Sequence, residues 1–240
     1  MTLVLGVDGC PGGWCVVIVE VSSDALNVVG TKIAPTFNQV MAIKSEIICI
    51  DVPIGLTDSS DQRACDSLAR KLLGQKQSSV FTPPCRAALA RRDWALASEI
   101  NLGITGRKLS KQTFAISPKI CEVDHLMTPQ LQQRVFEVHP ELCFRALNDG
   151  ETLLSDKSEA EGHRERWDLL HEAMRPSLPD QPQPLRWPKT ICQLDDYIDA
   201  LVGAWTAVCI LRRRASRVPD KPEIDRRDLR MEMWYPANTD

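Results

Sequence analysis

The sequence predicts a mixed α/β domain, and three observations carry that prediction. Apolar runs at residues 3–8, 14–21 and roughly 26–33 follow one another and read as successive strands. A fourth run at residues 46–52, EIICIDV, is apolar on both faces, as in the buried centre of a parallel or mixed sheet. Helical segments then alternate with a fifth short run at residues 135–138, before a long, almost wholly apolar helix. The expected architecture is a central mixed sheet of about five strands flanked by helices.

The opening stretch LVLGVDGCPGGW ends its apolar run in Asp8 and turns through Gly9, Cys10, Pro11, Gly12 and Gly13. Three glycines and a proline permit a reversal with positive φ, so a hairpin should hold Asp8 at the end of its first strand. Ser22, Ser23 and Asp24 carry the second turn, and residues 35–44 are weakly helical. Asp51 closes the fourth strand, where Pro53 and Gly55 mark the exit. That is the carboxyl edge, where open α/β sheets bind ligands. A helix at 61–73 stops at Gly74, and its Asp66 and Arg70 read as an i,i+4 pair on a solvated face. Another helix spans 116–127. Glu137 lies within the fifth strand, whereas Glu141 follows Pro140 and reads as a helix-dipole partner. Residues 149–190 read as an irregular connector around one helix at 159–174, with residues 176–188 a proline-rich surface linker. The last helix should start near Thr190, where T-x-x-Q resembles a capping box, and run to about Arg214. Asp196 and Asp199 share one face of it. One domain over 1–215 is expected, with a tail at 216–240 that carries little signal.

Composition narrows the function. The formal net charge of −3 gives no global field for nucleic acid or membrane. Residues 75–119, however, hold eight bases against two acids, a net of +6 that leaves about −9 for the rest of the chain. Phe81, Trp94 and Phe114 are interleaved with those bases. The stretch reads as a helical, basic insertion that either tracks a phosphate backbone, with Arg86, Arg91, Arg107 and Lys108 as substrate contacts, or forms a solvated cap. Nine scattered cysteines without a C-x-x-C pair fit a reducing cytoplasm. No signal-peptide pattern opens the chain, and the apolar stretch at 14–19 is too short to span a bilayer, so no membrane partner is expected.

The candidate catalytic residues are Asp8, Asp51, Glu137 and Asp199, with Asp8, Asp51, Asp196 and Asp199 as metal ligands. Carboxylates gathered in a partly apolar site resist ionisation unless a cation compensates them. Oxygen donors without histidine or cysteine favour Mg²⁺ or Mn²⁺. Two such ions can activate water and stabilise a leaving oxygen in phosphodiester hydrolysis.

The order of elements resembles the ribonuclease H-like fold, in which acids on strand one, strand four and the last helix bind metals. The D-x-x-D-A at residues 196–200 is similar to the last-helix motif of Holliday-junction resolvases. More closely, GVDGCPGGW, IDVPIGL, RACDSLARKLLG, SSVFTPP, EVHPE and DDYIDAL together resemble the family called domain of unknown function 429, described as predicted ribonuclease H-like nucleases. The resemblance spans roughly residues 3–210. It implies Asp8 and Asp51 as the strand ligands, Asp199 with Asp196 as the helix acids, and RNA or DNA as partner. One departure is that Glu46 is the only acid near the position of the additional first-helix acid. Three alternatives stay open: a sugar-kinase or actin-like ATPase relative, a small-molecule phosphoesterase, and a non-catalytic nucleic-acid or protein binding module with a relic acidic pocket.

Overall fold

The computed structural model describes residues 1–23 and 25–237. Strands β1 (Thr2–Cys10) and β2 (Gly13–Val21) pair antiparallel as a hairpin, and β3 (Leu26–Ala34) pairs antiparallel with β2. Gly13 takes φ 126° at the turn, and a Cβ there would lie 2.4 Å from the Ala34 carbonyl oxygen. Only glycine fits both constraints. Of the expected second turn, Asp24 lies outside the described residues. Its flanks are tied by Ser22 N–H donating to the Ala25 carbonyl at 2.9 Å and Ala25 N–H donating to Ser22 Oγ at 3.1 Å.

Strand β4 (Ile47–Ile50) joins β1 in parallel, and β5 (Val135–Glu137) joins β4 in parallel. The result is a five-stranded mixed sheet in the order β3-β2-β1-β4-β5. Helices α1 (Phe37–Met41) and α5 (Lys111–Leu126) cover one face, where Phe37, Val40, Ile120 and Val123 pack on Leu5, Val7, Ile48 and Ile50. Helices α6 (Pro140–Leu147), α7 (Ala160–Ala173) and α8 (Leu194–Leu211) cover the other, around Val4, Cys10, Val17 and Cys49. Side chains alternate along a strand, so Gly6 and Asp8 face α8 while Leu5 and Val7 face α5.

Gly6 sets the distance between β1 and α8. A Cβ on it would lie 1.9 Å from the Ala200 carbonyl oxygen and 2.1 Å from the Ala204 amide nitrogen. The helix backbone therefore rests on the strand backbone, and Asp199, one residue before Ala200, comes down beside Asp8. Helix α8 begins at Leu194, later than the Thr190 start expected from the sequence, because the capping box is Gln193 with Asp196. In it the Asp196 carboxylate accepts the Gln193 N–H at 2.7 Å.

The basic stretch 75–119 is mostly helical: a 3-10 turn (Gly74–Ser79), α3 (Arg86–Leu89), α4 (Trp94–Thr105) and the first half of α5. Helix α2 (Ala64–Leu73) precedes it. The tail holds more structure than its sequence suggests. Strands β6 (Ala215–Ile224) and β7 (Arg230–Pro236) form an antiparallel hairpin, and Trp234 bridges to Val138 beside β5. Pro219, Pro222 and a register shift between Val218 and Glu223 interrupt the alternation that would have revealed it. Met231 and Met233 cover Cys65, Ala69 and Leu73 of α2. The connector is also less exposed than expected, since Leu178 is buried and Leu185 and Trp187 pack partly buried against the core.

Candidate carboxylate site

Register brings two acids to one level. Val7 pairs with Ile50, so Asp8 and Asp51 follow at the next position on neighbouring parallel strands, and Asp51 N–H donates to the Val7 carbonyl at 3.1 Å. Both project toward α8, which supplies Asp199. Glu137 pairs with Ile50 instead. That places its side chain on the opposite face of the sheet, and the structure does not bring it to the other three.

Asp8 and Asp199 are buried, and Asp51 is half-buried. The Asp8 carboxyl is pushed well above its ordinary range by burial, then by the charges of Asp199 and Asp51. Asp199 is pushed up to about 6 by burial, opposed by Lys157 and reinforced by Asp51 and Glu141. Asp51 is raised by burial, with His139 and Lys157 opposing. Asp196 is raised to about 6 by burial, and its capping bond to Gln193 N–H works against that shift. Its carboxylate is thus engaged at the rim of the group.

The compensating charge is Lys157, from the segment before α7. Its Nζ donates to Asp199 Oδ2 at 2.5 Å, and Asp199, Asp8 and Asp51 all stabilise the ammonium. The other oxygen, Asp199 Oδ1, is buried without a hydrogen-bond partner among the described residues. Behind the site the buried Arg166 guanidinium holds Glu141 by two bonds, at 2.7 and 3.0 Å. Glu141, expected as a dipole partner, is therefore one half of a buried ion pair whose charge reaches Asp51 and Asp199. Neither Lys157 nor Arg166 stands out in the sequence, because nothing in a polar connector or an amphipathic helix marks which base turns inward.

One family model, described as protein of unknown function (DUF429), matches residues 6–224. The chain belongs to that family. No curated protein and no solved structure matches it.

In this DUF429 chain the four expected substrate contacts go to different places. Arg86 does not stand free. It is consumed in ion pairs with Asp225 at 2.5 Å, Asp124 at 2.9 Å and Asp58 at 3.4 Å. Arg107 is half-buried and donates to the Ser60 carbonyl at 2.8 Å. Arg91 and Lys108 are exposed, as is Arg92. Arg91 and Arg92 stand at a cavity of about 790 Å³ with Phe37, Phe114 and Pro118 in its wall. Lys119 lies along Gly9 and donates to the Gly13 carbonyl, with its ammonium 4.6 Å from the centre of the Trp14 ring.

Glu137 belongs to a second cluster. Its Oε2 accepts from Ile54 N–H at 2.7 Å and from Arg63 Nη2 at 2.5 Å, while Arg63 Nη1 lies 3.6 Å from Asp66. Asp66 is buried against Arg63, not on the solvated face expected for it, and Arg70 turns away to Val80 and Thr82. Burial, with Asp66 adding, pushes Glu137 up to about 8 against the pull of Arg63. Cys65, Asp66 and Glu137 have donor atoms within 4.8 Å of one another and could hold a metal ion. Among the described residues no other trio is that tight, so the carboxylates of Asp8, Asp51 and Asp199 stand further apart. The described residues contain no helix long and apolar enough to cross a membrane.

Proposed function

We propose that this DUF429 chain is a divalent-cation-dependent hydrolase of phosphodiester bonds, a nuclease on a ribonuclease H-like fold. One observation carries the reading: Asp8, Asp51 and Asp199 converge from β1, the end of β4 and α8, with Asp199 Oδ1 buried and unpaired. The strand order β3-β2-β1-β4-β5 with an antiparallel β2 supports the fold assignment.

The donor set fits Mg²⁺ or Mn²⁺. It consists of hard carboxylate oxygens, one of them lacking any partner, and its acids resist ionisation until positive charge is supplied. Asp8, Asp51 and Asp199 would hold the ions. Bound there, they would supply an acidified water and charge neutralisation at the phosphoryl oxygens. The chain's own residues perform the rest. Burial disfavours the ionised Asp8 carboxyl, and a divalent ion held there would oppose that shift and favour the carboxylate. Asp196 stays in its capping bond and adds negative charge at the rim. Arg91, Arg92 and Lys108, exposed and without ion-pair partners among the described residues, are cations that could meet a phosphate backbone. Nine unpaired thiols support a reducing, cytoplasmic setting.

A binding protein with a relic acidic pocket is the second reading. It is favoured by Lys157, which already neutralises part of the cluster. The test is incubation of single-stranded and duplex RNA and DNA with Mn²⁺ and with wild-type, Asp8→Asn or Asp51→Asn protein. Cleavage confined to the wild type is expected. Undiminished cleavage by both variants would remove the carboxylates from the mechanism.

A further inference from the structure

The 149–159 segment carries Lys157, whose ammonium reaches the carboxylate site. We propose that Lys157 is an exchangeable resident cation: its Nζ occupies the charge position among Asp8, Asp51 and Asp199, and a divalent ion must displace it. This inference rests on the proposed cation site.

Three features carry it. First, Lys157 contacts Asp199 through Oδ2 alone and leaves Oδ1 without a partner. A lysine inserted as a permanent structural counter-ion would be expected in a site whose remaining buried oxygens are satisfied. Second, the side chain is built to withdraw. It is 45% exposed although its ammonium tip reaches a carboxylate that is 1% exposed, so the stem lies in solvent and only the head enters the site. Third, the backbone around it is fixed. Lys76 Nζ donates to the Ser155 carbonyl at 3.1 Å, Ser155 Oγ donates to Glu165, and Ser158 N–H and Oγ donate to Asp156 Oδ1 at 2.9 and 2.8 Å. Gly162 lets α7 sit against this segment, since a Cβ there would lie 1.9 Å from the Asp156 carbonyl oxygen. With the backbone held, exchange is a rotation of the lysine side chain and requires no movement of the segment.

Like charges repel, so an ammonium on Oδ2 weakens the hold of the same carboxylate on a divalent ion. Cation binding should therefore expel Nζ to solvent, and removing the ammonium should tighten cation binding. Lys157→Met keeps the length and apolar character of the stem. Lys157→Gln keeps a hydrogen-bond donor without the charge.

The test pairs two readouts on the full chain. Calorimetric titration of Mn²⁺ should give at least about tenfold tighter binding to Lys157→Met and Lys157→Gln than to wild type. Amine acylation mapped by mass spectrometry should show Lys157 protected without metal and reactive with saturating Mn²⁺, while the exposed Lys108 reacts equally in both. Mn²⁺ that binds wild type in an Asp199-dependent manner without raising Lys157 reactivity overturns the exchange and leaves the proposed cation site standing. Equal or weaker affinity in both lysine variants overturns it in the same way. Absence of Mn²⁺ binding to wild type and to both lysine variants overturns the exchange and the cation site together. Binding to the lysine variants alone supports the exchange in its strongest form.

Discussion

Replacing Gly6 by alanine tests how the candidate site is assembled without touching any of its acids. The new Cβ would stand 1.9 Å from Ala200 O, 2.1 Å from Ala204 N and 2.8 Å from Ala204 Cα, all of them backbone. No side-chain rotation relieves such contacts, so α8 must retreat from β1 by about 1.5 Å to restore ordinary separations. The helix buries Ile198, Leu201, Val202, Ala207 and Val208, and moving it loosens the whole face. Overpacking of this kind costs about 3 kcal/mol. The same retreat carries Asp199 away from Asp8, and a misplacement of about 1 Å is enough to cost about 10²-fold in a catalysed rate. Urea unfolding supplies the stability, and Mn²⁺ titration supplies the state of the site. Gly103→Ala is the control, because that glycine lies exposed in α4 with nothing within 4 Å of the added carbon. It should stabilise by about 0.5–1 kcal/mol through helix propensity alone. A Gly6→Ala protein as stable as wild type, with unchanged Mn²⁺ affinity, would refute the close approach and the placement of Asp199 derived from it.

Further expectations concern charge. Arg86→Ala strips the partner from Asp225, whose side chain is fully buried, and should cost about 3–5 kcal/mol in a denaturant melt; a loss below 1 kcal/mol would mean the ion-pair network is not structural. Arg91→Ala combined with Arg92→Ala should leave stability within about 0.5 kcal/mol of wild type and weaken any nucleic-acid binding. The slope of log affinity against log salt should become shallower by nearly 2, and an unchanged slope would remove that edge from the interface. Asp199, raised to about 6, binds its proton more tightly in the folded state than in the unfolded one. Its stabilising contribution is complete below about pH 4 and is lost as pH rises through 6. Unfolding free energies between pH 4 and 7 should therefore fall less with pH in Asp199→Asn than in wild type, and parallel curves would contradict the shift.

The sheet was legible because its strands advertise themselves. EIICIDV is typical of a buried strand, and GVDGCPGGW reads most simply as a tight reversal after an acid. Asp8 and Asp51 stand out as acids at the ends of apolar strands, and Asp199 as an acid beyond the first turn of an apolar helix, on one face with Asp196. Glu137 ends a strand as Asp8 and Asp51 do, but parity sets it apart: one position separates its face from that of Asp51. Arg86 reads as a ligand contact because a sequence shows a base but not the three acids, Asp58, Asp124 and Asp225, that distant segments bring to it. Gly6 gave no signal, since a glycine inside a strand reads as a weakness until the helix above it is seen. Lys157 was invisible for a related reason, because its role depends on tertiary distance alone. The β6–β7 hairpin was hidden by two prolines and a register shift that erase the period of two.

Calorimetric titration of Mn²⁺ into wild type, Asp8→Asn and Asp199→Asn decides whether Asp8, Asp51 and Asp199 form the proposed divalent-cation site. Binding to wild type is expected, with a loss of at least about tenfold in affinity in each variant. Equal Mn²⁺ affinity in all three proteins, or binding abolished only by changes at Cys65 or Asp66, would contradict it.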